Sequence, residues 1–151
     1  MAGKFYEDFV IGETYVSKAR NVTEADVVNM AGISGDFNPL HMDSEYGNST
    51  VFQKKIAHGI IGPVFATGMS YQSGMFEDTT IGFLELSVRY IRPLEIGSSV
   101  HLEMTAVEKR ITSNPSRGIV KYEVALIDQY GQKVQDGMWT IMMKTKRFPT
   151  E

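Results

Sequence analysis

The chain has 151 residues, of which 42% are hydrophobic and 22% charged, and its net charge is −3. These proportions fit one globular domain over residues 1–151 that builds its core by apolar burial, and so mild a charge argues against nucleic-acid wrapping or attraction to a membrane surface. The chain has no cysteine, which excludes disulfides, thiolate metal sites and a cysteine nucleophile.

The opening segment MAGKFYEDFV lacks the uninterrupted apolar run of about 7–15 residues that a secretory signal needs. No stretch approaches the roughly 20 apolar residues of a membrane span. The expectation is a cytoplasmic protein.

Residues 14–22 read as an opening strand after a turn at Gly12. Thr23 has the character of a helix N-cap, with Asp26 three positions on, where a carboxylate reaches back to the cap amide. The short helix that follows carries Ala25, Val28 and Met30 and runs into Gly32. Residues 34–49, SGDFNPLHMDSEYGNS, are dense in Asp, Asn, Ser, Gly and Pro, which predicts loop and short helical turns. Residues 56–75 restore a helical pattern with Ile60, Ile61, Val64, Phe65, Met69 and Tyr71. Such a helix, apolar nearly all round, is a buried one, and Pro63 is tolerated in its first turn.

The second half is strand-like, with strands predicted over residues 81–92, 100–111, 120–127 and 134–146. In the second of these, Val100, Leu102, Met104 and Ala106 alternate with His101, Glu103 and Thr105, so one face is covered and the other wet or paired. The predicted whole is α+β, a twisted antiparallel sheet wrapped around one long central helix. Its open edge and uncovered face call for dimerisation.

The chemistry-bearing stretch is Asp36-Phe37-Asn38-Pro39-Leu40-His41. Pro39 disfavours helical geometry at Asn38, so the segment bends and can aim a carboxylate and an imidazole at one spot. Phe37 and Leu40 are expected to pack inward and leave the two polar groups in a low-dielectric pocket, as acid–base work requires. The same residues also suit ordinary turn chemistry, with Asp and Asn bonding local amides. Gly59 places an amide at the start of the apolar helix, where unpaired N–H groups and the helix dipole favour developing negative charge.

SGDFNPLHMDSEYGNS followed by IAHGI resembles the MaoC-like, (R)-specific enoyl-CoA hydratase family. That family's signature is Gly-Asp-x-Asn-Pro-x-His-x-Asp, then Ala-His-Gly leading into a central helix. The segments FYEDFVIGETY, TEADVVNMAGISGDFNPLHMD and VRYIRPLEIG also look like family positions, so the resemblance covers nearly the whole chain. It implies a hot-dog fold with residues 60–75 as the central helix. It further implies syn hydration of a trans-2-enoyl thioester, carried on coenzyme A or an acyl-carrier protein, to the (R)-3-hydroxyacyl product. In that reaction Asp36 would act as base on the water and His41 as proton donor to the α-carbon, or the two with these roles exchanged, and the Gly59 amide would receive the thioester oxygen. The resemblance implies no cofactor and no metal, and a homodimer or an assembly of dimers.

Further substrate contacts are expected from Asn38, which shapes the loop, and from Thr67, which stands where family members often have serine. Arg89 and Arg92 are candidates for the phosphates of coenzyme A, with Lys109, Arg110 and Arg117 as additional cations. His58 is either a substrate or acid group, or a buried histidine pinning the turn through a backbone hydrogen bond. A metal held by His41, Asp43 and His58 is disfavoured because nothing fixes the three on one face. The alternatives within reach of the same fold are an acyl-CoA thioesterase and a non-catalytic acyl-thioester-binding subunit.

Overall fold

A computed structural model describes residues 3–149. Two short strands open the chain, β1 (Thr14–Val16) and β2 (Arg20–Asn21), where one strand over 14–22 was expected. The interruption falls at Ser17, whose amide donates to Leu102 O and whose hydroxyl, in place of its carbonyl, accepts the Leu102 amide at 2.9 Å. Helix α1 (Glu24–Ser34) starts as predicted. The Thr23 hydroxyl takes the Asp26 amide, the Asp26 carboxylate takes the Thr23 amide, and Gly35 ends the helix at a φ of 77°. Its buried face is Val27, Met30 and Ala31, whereas Val28 is exposed.

The loop after α1 folds into two short helices, α2 (Pro39–Met42) and α3 (Ser44–Ser49), and then reaches the central helix α4 (Ile61–Tyr71). Helix α4 is shorter than the predicted 56–75. Before it, Ile56 bridges Glu95 and the Ala57 amide bonds Leu94 O, which draws this segment into extended pairing. After it, Gly74 takes a φ of 72° and returns its amide to Tyr71 O.

Five further strands complete the chain: β3 (Thr80–Leu86), β4 (Arg89–Tyr90), β5 (Ser99–Ile111), β6 (Arg117–Asp128) and β7 (Lys133–Lys144). The predicted strand over 81–92 is split between β3 and β4 by Ser87, which bonds Met138 through both its amide and its hydroxyl. The sheet is antiparallel with order β1-β5-β6-β7-β3, β2 lying beside β5 and β4 beside β7. Alternation in β5 places Val100, Leu102, Met104 and Ala106 on the buried face. They join Ile61, Phe65, Ala66 and Met69 of α4 in one apolar cluster with Tyr122, Trp139 and Ile141. Each large apolar side chain so buried stabilises the fold by about 1.5–3 kcal/mol. Among the described residues no helix is long and apolar enough to cross a membrane.

Candidate active site

The loop from Gly35 to α2 is built by its own polar side chains. Asp36 Oδ1 accepts the Asn38 amide at 3.2 Å, and Asn38 Oδ1 accepts the Leu40 amide at 3.0 Å, capping α2 with Pro39 in its first turn. Asn38 is therefore consumed as a cap and lies outside the cleft described below. Asp43 repeats the device for α3, accepting the Glu45 and Tyr46 amides.

His41, on α2, is 9% exposed, and its Nδ1 lies 2.8 Å from Ile56 O. A carbonyl only accepts, so Nδ1 carries a proton, and in the neutral form of the ring Nε2 presents a lone pair. That Nε2 is 4.0 Å from Asp36 Oδ2. His58 is buried, and its Nε2 donates to the backbone oxygen of Asp36 at 2.8 Å. Its ring lies against that of His41, with centroids 4.0 Å apart and planes tilted by 31°. The geometry fits the expected pinning histidine. Nδ1 of His58 has no partner among the described residues.

These groups line a cleft of about 510 Å³ together with Phe52, Ile56, Gly59, Ile60, Tyr90 and Arg92. Gly59 leads into α4, whose N-cap is Ile60. A Cβ on Gly59 would meet Tyr90 Cε1 at 2.7 Å, so glycine is what lets the Tyr90 ring, and anything else in the cleft, approach the backbone there. Among the described residues, neither the Gly59 nor the Ile60 amide has an acceptor. Two hydrogen-bond acceptors 4.0 Å apart, beside two unused donors at a helix start, suit a reaction in which water is deprotonated while charge builds on a nearby oxygen.

The family whose description is MaoC like domain matches residues 8–126. The chain belongs to that family. A curated (R)-specific enoyl-CoA hydratase from Rhodospirillum rubrum is 29% identical to this MaoC-like chain over 101 residues, which is 67% of this chain and 68% of that protein. The chain spans only 40% of the Klebsiella aerogenes protein named MaoC, to which it is 24% identical over 144 residues. A solved structure from Archaeoglobus fulgidus, described as a monoamine oxidase regulatory protein, is 29% identical. It superposes with a TM-score of 0.90, covering 97% of both chains. A Mycobacterium tuberculosis protein described as a double hot-dog fold superposes at 0.84, covering 99% of this chain and 46% of that one at 18% identity. The sheet wrapped around α4 is the hot-dog fold.

Several expected contacts in this MaoC-like domain lie elsewhere. Thr67 is on the exposed face of α4 with its hydroxyl turned back to Val64 O at 2.7 Å, and it does not line the cleft. Arg89 grips Asp136 through two bonds of 2.8 and 2.9 Å, which lifts its guanidinium above its ordinary value, and it too lies outside the cleft. Lys109 donates to Phe9 O at 2.7 Å and sits over the Tyr6 ring, a structural role. Arg92 alone of the two expected arginines lines the cleft.

Phe37 is 60% exposed, and the Asp36 side chain is about half exposed at 51%. The loop's own hydrogen bonds turn Phe37 outward, so within one chain the carboxylate is not enclosed as expected. The set that converges is Asp36, His41 and His58, whose ligand-capable atoms lie within 4.8 Å of one another, not the trio with Asp43. Tyr90 and Gln135 of the cleft escaped the sequence reading. Tyr90 lies within VRYIRPLEIG, and Gln135 is a polar residue in a strand otherwise read from its apolar positions.

Proposed function

We propose that this chain is a 2-enoyl thioester hydratase, acting as a homodimer on an acyl group carried by coenzyme A or an acyl-carrier protein. The observation that carries the reading is the facing pair His41 Nε2 and Asp36 Oδ2, 4.0 Å apart at the mouth of the cleft that Gly59 lines. Both are acceptors, so the species that fits between them is one with two O–H donors, namely water. In hydration the pair takes one proton from that water as its oxygen bonds the β-carbon. Electron density moves onto the thioester oxygen, which the Gly59 amide receives. The pair then gives a proton to the α-carbon on the same face, ending with as many protons as it began with. With Nδ1 of His41 donating to Ile56 O, Nε2 is the ring atom that meets the water, accepting from it when the ring is neutral.

Purified protein mixed with crotonyl-CoA should remove the conjugated-enoyl absorbance without releasing free thiol. Thiol release with no loss of the enoyl would point to thioester hydrolysis and overturn the hydratase reading.

A further inference from the structure

Gln135 is a buried amide with one of its two polar atoms unused. It is 3% exposed, its Nε2 donates to Gly59 O at 2.8 Å, and its Oε1 has no partner among the described residues. An unmet buried acceptor costs about 1–3 kcal/mol, so an apolar side chain of similar shape would serve the fold better. Two further features exist to keep the amide there. In the β6–β7 ladder Leu126 faces Gln135 but Ile127 faces Lys133, so Val134 is an extra residue and both Val134 and Gln135 turn inward. Bulges of this kind re-aim a side chain beside a site. On the opposite side, a Cβ on Gly62 would collide with the Gln135 amide, so α4 leaves the space open.

From this geometry we infer that Gln135 is a positioning residue for the helix-start peptide whose Ile60 N–H adjoins the Gly59 oxyanion amide, a role that rests on the hydratase reading above. Gly59 C=O and Ile60 N–H belong to one peptide unit. A donor on that carbonyl fixes the unit's orientation and polarises its N–H, strengthening it towards a negative oxygen. The amide of Gln135 thus acts through Gly59 and Ile60 without touching the reacting atoms.

The test uses Gln135→Met and Gln135→Glu in the full chain. In Gln135→Met, kcat should fall about 10- to 100-fold, less than the loss of an oxyanion donor itself, while KM stays nearly unchanged and Tm holds or rises. Gln135→Glu should be impaired when its carboxylate is ionised and regain activity, relative to wild type at each pH, as protonation restores a donor to Gly59 O. A Gln135→Met enzyme with wild-type kcat, or a Gln135→Glu ratio that is flat with pH, overturns the inference.

Asp36→Asn in the same assay separates the two levels. If wild type hydrates and Asp36→Asn does not, an active Gln135→Met counts against the role of Gln135 alone. If wild type fails to hydrate, the hydratase reading fails, and the amide proton shift of Ile60 still decides the positioning. That proton should move upfield in Gln135→Met as the polarising bond is lost, and an unchanged shift overturns it.

Discussion

Asp36 and His41 face one another at 4.0 Å, Oδ2 to Nε2, although the first is half exposed and the second nearly buried. The asymmetry has a simple origin. His41 is locked from behind by Ile56 O, whereas Asp36 is held by its backbone, through His58, and leaves its outer oxygen free. Asp36→Asn changes neither shape nor the His58 bond, so its stability should stay within about 0.5 kcal/mol of wild type. Its hydration rate should fall about 10²- to 10⁴-fold, the range of a lost acid–base group. Crotonyl-CoA turnover alongside thermal denaturation checks both halves, and a fully active Asp36→Asn removes the dyad from the mechanism.

Gly59→Ala addresses the other half of the site. The added methyl would press on Tyr90 Cε1 at 2.7 Å, but Tyr90 is 56% exposed and its ring can swing away. The fold should therefore lose no more than about 1 kcal/mol. Turnover should drop at least about tenfold, because the methyl stands where a thioester oxygen approaches the amide. Adding Tyr90→Ala to the same chain relieves the steric pressure. Restored activity in the double variant would trace the loss to a displaced ring and not to the blocked amide.

The cap of α1 carries a pH signature. Burial acts to raise the Asp26 carboxyl, but the Thr23 amide and hydroxyl and the Arg20 guanidinium outweigh it and hold the group below its ordinary value of 3.8. A carboxyl whose value is lower in the folded state than in the unfolded one stabilises the fold above the unfolded value. That stabilisation is lost as pH falls through 3.8 towards the lowered value. Asp26→Ala should cost about 1 kcal/mol at neutral pH, and the gap to wild type should close as the solution is acidified past that point. Urea denaturation at several pH values measures it; a gap that widens in acid contradicts the assignment.

Features set by neighbouring residues were legible in the sequence. The Thr23–Asp26 cap spans three positions, the Pro39 bend follows from one ring, and β5 to β7 announce themselves by alternation. Choices made by distant packing were not. Whether Val27 or Val28 faces the core depends on where α1 lies over α4, and Phe37 turns outward because Asp36 and Asn38 spend their side chains on local amides. The contact between Gln135 and Gly59 joins positions 76 apart through a bulge that no local pattern encodes. The site itself was half legible. Asp36, His41, His58, Gly59 and Arg92 do line one cleft, while Asn38, Thr67 and Arg89 are engaged elsewhere.

The outer face of α4 is the strongest argument for a second copy. Ile60, Val64 and Tyr71 are 46%, 49% and 65% exposed on a helix whose other side is the centre of the core. β3 ends the sheet and leaves Leu84 and Leu86 at 50% and 40%. An open edge beside apolar side chains invites pairing with another chain. Thr67 shares the exposed face of α4, so a partner laid there would cover it. Val64→Glu puts a charge into that face without touching the cleft. The wild-type protein should scatter light as twice the 16.9 kDa of one chain, and Val64→Glu should shift towards the single mass with its circular dichroism intact. Its turnover should fall with dimer content, since the half-exposed Asp36 lacks the enclosure that strengthens a charge-bearing site. A wild-type protein that is a single chain at assay concentration, yet turns over, would leave this face without that role.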